Sequence, residues 1–223
     1  SLTAAVTSTK DIPILGTSVT EYGVGLGIEN FSGTVGGNVS GTSDLAPLDK
    51  QAEMVKELCP DAKTVGILYC SAEANSKYQA DIVEAKLKDL GFEVKIYTIA
   101  DTNEISTVAS TACDEMDALY IPTDNTIAGA VETVNLIAEP KKVPIIAGEE
   151  NMCKGCGVAT LSIDYYSIGR KAGEQAYEIL VNGKNPATME IAVADVTTKK
   201  CISDRATALG ITVPSDYVAI TAE

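Results

Sequence analysis

Residues 64–98, TVGILYCSAEANSKYQADIVEAKLKDLGFEVKIYT, decide the fold class of this chain. Thr64–Tyr69 is a short apolar run without alternation, the signature of a strand covered on both faces in a parallel sheet. Small polar residues follow. Asn75–Leu90 then groups Ile82, Ala85 and Leu90 on one helical face and stops at Gly91, a residue type that readily turns left-handed past a helix end. Glu93–Thr98 is again β-type. Strand, helix and strand over this span make one βαβ unit, whose crossover imposes parallel pairing.

The alternation continues in both directions. Further strands fit Ile12–Val19, Ala118–Pro122, Val143–Ala147, Val158–Ile163 and Met189–Val196. Helical patterns fit Pro47–Leu58, Glu104–Met116, Asn125–Ala138, Tyr165–Val181 and Ser203–Leu209, and Ser1–Thr9 reads as the second half of a helix. The expected fold is therefore α/β, a doubly wound arrangement with parallel sheets. Gly23–Gly41 interrupts it with seven glycines and reads as a loop leading into a short strand at Asn38–Ser43, a crossover between lobes. Gly23-Val-Gly-Leu-Gly27 lacks a third glycine at the spacing that a dinucleotide loop requires, and the following helix, so no such cofactor is expected.

Composition removes several function classes. The chain has 223 residues, 45% of them hydrophobic, enough for a sizeable core. Acidic residues outnumber basic ones 31 to 17, for a net charge of −14, which opposes binding to phosphates, so nucleic acid is not an expected partner. With no histidine, Ser-His, Cys-His and His-zinc sites are excluded. Of six cysteines only Cys153-Lys-Gly-Cys156 has a chemically suggestive spacing, and no second pair completes a zinc site. A structural disulfide or two free thiols are expected there, and neither metal nor cofactor is.

In parallel sheets ligands bind outside the carboxyl ends of strands. Four such ends are polar here: Cys70-Ser-Ala-Glu-Ala-Asn-Ser76, Thr123-Asp-Asn-Thr126, Gly148-Glu-Glu-Asn151 and Asp164-Tyr-Tyr-Ser167. Each also stands at a helix start, where Ser, Thr, Asp and Asn serve as caps. Acids at three of them, Asp124, Glu149 and Asp164, suit an ammonium group. Helix N-termini beside Ser71 and Asn75 suit a carboxylate. An α-amino acid carries both charges.

Several motifs resemble, in order along the chain, the tryptophan/tyrosine-type ABC transporter substrate-binding family. They are Pro13-Ile-Leu-Gly-Thr-Ser-Val-Thr20, Gly37-Asn-Val-Ser-Gly-Thr-Ser-Asp44, Lys63-Thr-Val-Gly-Ile-Leu-Tyr69, Glu73-Ala-Asn-Ser76, Asp117-Ala-Leu-Tyr-Ile-Pro-Thr-Asp-Asn-Thr126 and Ile163-Asp-Tyr-Tyr-Ser-Ile-Gly-Arg170. Thr198-Lys-Lys200 and Ala208-Leu-Gly-Ile-Thr-Val-Pro214 close the series.

The resemblance implies a type I periplasmic-binding-protein fold of two Rossmann-like lobes with the ligand in the cleft. Residues 1–43 and 164–186 map to lobe one, and 44–163 and 187–223 to lobe two. Relatives carry further residues upstream that open lobe one, so lobe one is expected to be incomplete and any lipid anchor to lie outside this chain. The implied function is the extracytoplasmic binding component of an importer, periplasmic or lipid-anchored, delivering an aromatic amino acid to a membrane permease without catalysis. Asp124 and Glu149 are the expected ammonium partners, surrounded by Thr17, Thr20, Ser71, Asn75, Thr123, Asn125, Asp164 and Tyr165. Two alternatives are a ligand-sensing regulator domain and a cofactor-independent racemase using Cys70 and Cys153. Met152–Gly157 departs from the cysteine-free turn of relatives.

Overall fold

A computed structural model describes residues 2–222; Ser1 and Glu223, the outermost residues of the expected lobes, lie outside the described residues. The chain divides into two compact units. The smaller comprises the chain up to Leu45 together with Ile163–Thr197, and the larger comprises Ala46–Ser162 and the chain from Thr198 onward. Asp44, Leu45, Ile163 and residues 187–197, which the sequence reading joined to the larger lobe, thus group with the smaller unit.

The smaller unit opens with α1 (Leu2–Ser8), β1 (Ile14–Gly16), α2 (Tyr22–Leu26) and β2 (Val39–Gly41). The larger unit follows with α3 (Leu48–Leu58), β3 (Thr64–Cys70), α4 (Ala74–Asp89), β4 (Glu93–Ile99), α5 (Ile105–Glu115), β5 (Ala118–Ile121), α6 (Asn125–Ala128), α7 (Val131–Lys141), β6 (Ile145–Ala147), α8 (Glu150–Cys156) and β7 (Ala159–Ile163). The chain returns through α9 (Tyr165–Leu180) and ends in β8 (Thr197–Ile202), α10 (Ser203–Leu209) and β9 (Val218–Ile220).

In the smaller unit β1 and β2 pair in parallel, with Gly16 opposite Gly41. A Cβ on Gly41 would lie 2.1 Å from the Gly16 carbonyl oxygen, and its φ of 145° also disfavours a side chain. The expected strand Ile12–Val19 shortens to three residues. Pro13 lacks an N–H and Ser18 turns left-handed at φ 54°, so the ladder cannot extend either way. The expected strand Met189–Val196 is also corrected, to one isolated bridge of Ala192 with Thr42. The strand begins only at Thr197, and the intervening Val193 and Val196 face solvent.

The larger unit holds a seven-stranded sheet in the order β4-β3-β5-β6-β7-β8-β9. β5, β6 and β7 are wholly buried and β3 nearly so, which explains their unalternating sequences. On one face Ile99, Ile105, Leu119, Val134, Ile145 and Met152 pack into one core. The chain runs from β3 outward to β4 and then back across to β5 on the opposite side of β3. This reversal is a topological switch point, where two helices diverge and leave an opening above the strand ends.

Two helical expectations change. Asn125–Ala138 is not one helix but α6 and α7, broken where Ala130 leaves helical geometry and donates to the Ile127 carbonyl at 2.8 Å. Met152–Gly157 is not a turn, because Met152–Cys156 belong to α8. Seven residues are too few for an apolar period to appear in sequence.

Candidate functional site at the sheet switch point

Side chains at the carboxyl ends of β3 and β5 lock the two strand ends together. Asp124 caps α6 by accepting from the Ile127 N–H at 2.8 Å, and its other oxygen accepts from the Cys70 N–H at 2.7 Å. Burial raises its pKa, opposed by these backbone donors. Glu73, just before α4, accepts from the Asn125 N–H at 3.1 Å and its side-chain amide at 2.7 Å. Its second oxygen accepts from the Thr126 N–H at 2.8 Å and hydroxyl at 2.7 Å. Burial works against ionising Glu73, yet these donors outweigh it and its pKa is lowered. Gln79 grips the backbone of Thr123 from both sides, donating to its carbonyl at 3.0 Å and accepting from its N–H at 3.2 Å.

Against this frame Ser71 and Asn125 are exposed, and Asn75 and Thr123 are half-buried. The Asn75 amide donates to the Thr123 carbonyl at 3.3 Å, and the Ser71 hydroxyl to the Ile99 carbonyl at 3.1 Å. α4 starts without a side-chain cap. The switch point therefore presents hydroxyl and amide groups beside an uncapped helix start, a chemistry suited to a carboxylate.

Glu149 stands one strand further on. It caps α8 by accepting from the Asn151 N–H at 2.8 Å and from the Met152 N–H. The preceding Gly148 is forced by crowding, since a Cβ there would lie 2.4 Å from the Thr123 nitrogen. Its carbonyl accepts from the buried Gln51 at 3.0 Å, and Gln51 in turn accepts from the Tyr120 hydroxyl at 2.6 Å. At Asp124 and Glu149 the structure thus shows capping, with two backbone donors on each carboxylate.

The smaller unit has its own polar edge, at the carboxyl ends of β1 and β2. Thr17 is exposed and receives a long contact of 3.4 Å from the Thr42 hydroxyl, and the buried Thr20 offers its carbonyl to Ser43 at 2.8 Å. Asp164 caps α9 by accepting from the Tyr166 N–H at 3.1 Å and from the Ser167 hydroxyl. Tyr165 donates its hydroxyl to Asp44 at 3.3 Å. The ten residues expected at the site therefore fall into two sets: Ser71, Asn75, Thr123, Asp124, Asn125 and Glu149 in the larger unit, and Thr17, Thr20, Asp164 and Tyr165 in the smaller. Sequence reasoning overlooked Gln51, Glu73, Gln79 and Asp44. Glu73 and Asp44 stood inside the motifs already noted, whereas nothing local marks Gln51 or Gln79.

All six cysteines are free and buried. Burial raises the pKa of Cys153 and brings that of Cys156 to about 12. Thiols held protonated in this way make poor nucleophiles and bases.

Comparison with known proteins bears on the whole chain. The profile of the family described as ABC transporter substrate binding protein matches residues 2–223. A tyrosine-binding protein of Clostridioides difficile is 40% identical over 194 residues, covering 87% of this chain and 56% of the relative. The chain thus spans about half the length of that curated relative. A Streptococcus pneumoniae ABC domain solved in complex with L-Trp superposes with a TM-score of 0.88 at 31% identity, over 96% of this chain and 74% of that one. A ligand-free, open structure of a Clostridium difficile substrate binding protein with adhesive properties matches at TM-score 0.77 and 37% identity, over 99% of this chain and 75% of the other.

Proposed function

The chain belongs to the ABC transporter substrate-binding protein family, and from that premise we propose that it is the extracytoplasmic component of an importer, taking up a small aromatic amino acid and handing it unchanged to a membrane permease. The observation that carries the ligand class is the switch point between β3 and β5. Ser71, Asn75, Thr123 and Asn125 gather there beside the uncapped start of α4, which suits the carboxylate of a zwitterion. Tyrosine or tryptophan as ligand is supported by what the relatives bind: the 40% identical protein is named tyrosine-binding, and the domain at TM-score 0.88 was solved with L-Trp. A binding role without catalysis is supported by the buried thiols of Cys70 and Cys153, which leave the racemase alternative without an accessible acid or base.

Calorimetry with L-tyrosine, L-tryptophan, L-phenylalanine and L-leucine tests the reading. Saturable binding of one or more aromatic amino acids, with leucine weaker, is the expected result. A folded protein that takes up heat from none of them would refute it. Within the switch point, Asn125→Ala and Ser71→Ala should each weaken binding about 5- to 10-fold, the loss of one hydrogen bond.

A further inference from the structure

Asp44 lies just beyond β2, and 7% of its surface is exposed. Its loop is tied to the one that follows β1: the Val19 N–H donates to the Thr42 carbonyl at 3.3 Å and the Ser43 hydroxyl to the Thr20 carbonyl at 2.8 Å. The position of the carboxylate is therefore set by backbone. One oxygen, Oδ2, accepts from the Tyr165 hydroxyl at 3.3 Å, and the Thr20 side chain also bonds this carboxylate. The other, Oδ1, is buried with no hydrogen-bond partner among the described residues. Burial pushes the Asp44 pKa up, against the pull of the Thr20 and Tyr165 hydroxyls and of its own backbone N–H. A buried carboxylate with one oxygen unpaired destabilises a fold, more so when it is charged than when it is neutral. Such a group calls for an explanation, and a ligand that completes it is one.

We propose that Asp44 is the anchor for the ammonium group of the amino-acid ligand, with Oδ1 as the acceptor that the ammonium completes. The proposal rests on the amino-acid reading above and places the ammonium at a carboxylate with one oxygen left over, in preference to Asp124 and Glu149, each of which already accepts two backbone N–H groups. The class of cation follows from geometry. A guanidinium pairs best across both carboxylate oxygens, and Oδ2 is already engaged by Tyr165. Among the described residues no three Cys, Asp or Glu side chains come together as a hard metal ion would require. An ammonium is a compact triple donor. It can give one hydrogen to Oδ1 and the others to the Thr20 and Tyr165 hydroxyl oxygens, which remain acceptors while donating to Asp44. Tyr165 is then a positioning residue, holding Oδ2 so that Oδ1 faces the ligand.

The test compares L-tyrosine with 3-(4-hydroxyphenyl)propanoate, the same molecule without its amino group, on wild type and Asp44→Asn. Wild type should prefer L-tyrosine by at least about 30-fold, the lower end of what losing one partner of a buried charged pair costs. Asp44→Asn should lose that preference by weakening L-tyrosine alone, with the affinity for the propanoate unchanged within about 3-fold. Without ligand the variant should melt no lower than wild type, because an unpaired buried charge has been removed. Equal loss for both ligands, or undiminished L-tyrosine binding, overturns the anchor and leaves the amino-acid reading standing. A wild type that binds no amino acid ends both. Should Asp44→Asn fail to fold, the wild-type preference still decides, and a ratio under about 3-fold overturns the proposal.

Discussion

Gln51 sits one turn into α3, fully buried, bridging the Tyr120 hydroxyl and the Gly148 carbonyl. Truncation to alanine orphans both, so Gln51→Ala should lower the unfolding free energy by about 2–4 kcal/mol in urea titrations. A loss below about 1 kcal/mol would show that the network contributes little. Glu73 makes a different prediction, in pH. Its pKa in the folded protein is lowered, so the stability it contributes is present at neutral pH and is lost as pH falls below about 4.3 through that lowered value. The stability gap between wild type and Glu73→Gln should therefore be widest near neutrality and shrink under acid. A gap that is constant across that range would contradict the ion's role. These residues also mark how far a sequence can be read at this scale. Asp124 and Glu149 were visible as acids at strand ends, but whether a cap is also an open charge depends on which N–H groups reach it. Cys70, which donates to Asp124, lies 54 positions away in the chain.

Arg205, on α10, places one nitrogen on the carbonyls of Cys153 and Gly157 at 2.8 and 2.9 Å and another on that of Gly155 at 2.8 Å, closing the carboxyl end of α8. A lysine has one nitrogen where the guanidinium sets two against these carbonyls, so Arg205→Lys should cost about 1–3 kcal/mol despite retaining the charge. Thermal unfolding checks it, and an unchanged melting temperature would show that a point charge suffices. The helix it closes was not evident beforehand. Cys153 and Cys156 drew attention as a spacing, and the structure uses them as buried hydrophobes on a short element whose start is Glu149. The long apolar strands were legible because burial on both faces leaves its own signature in residue type. α6 and α7 were not separable, because a break at Gly129–Ala130 disturbs the apolar period by less than a turn.

At the scale of the whole molecule, protection should follow burial. β3, β5, β6 and β7 are shielded on both faces, whereas α1 buries no residue and α9 buries only Ile168. Amides of those four strands should exchange slowest in hydrogen-exchange mass spectrometry, and those of α1 and α9 orders of magnitude faster. Uniform protection would refute this gradient. The α/β class, the parallel pairing and the family followed from the chain alone, because apolar runs, helix stops and ordered motifs are local properties that each segment carries with it. The strand order that creates a switch point between β3 and β5, the bonds that hold Asp124 and Glu149, and the orphaned oxygen of Asp44 were decided only in tertiary structure. Hydrogen-bond satisfaction is a property of what surrounds a group in space, and those surroundings come from residues far apart in sequence.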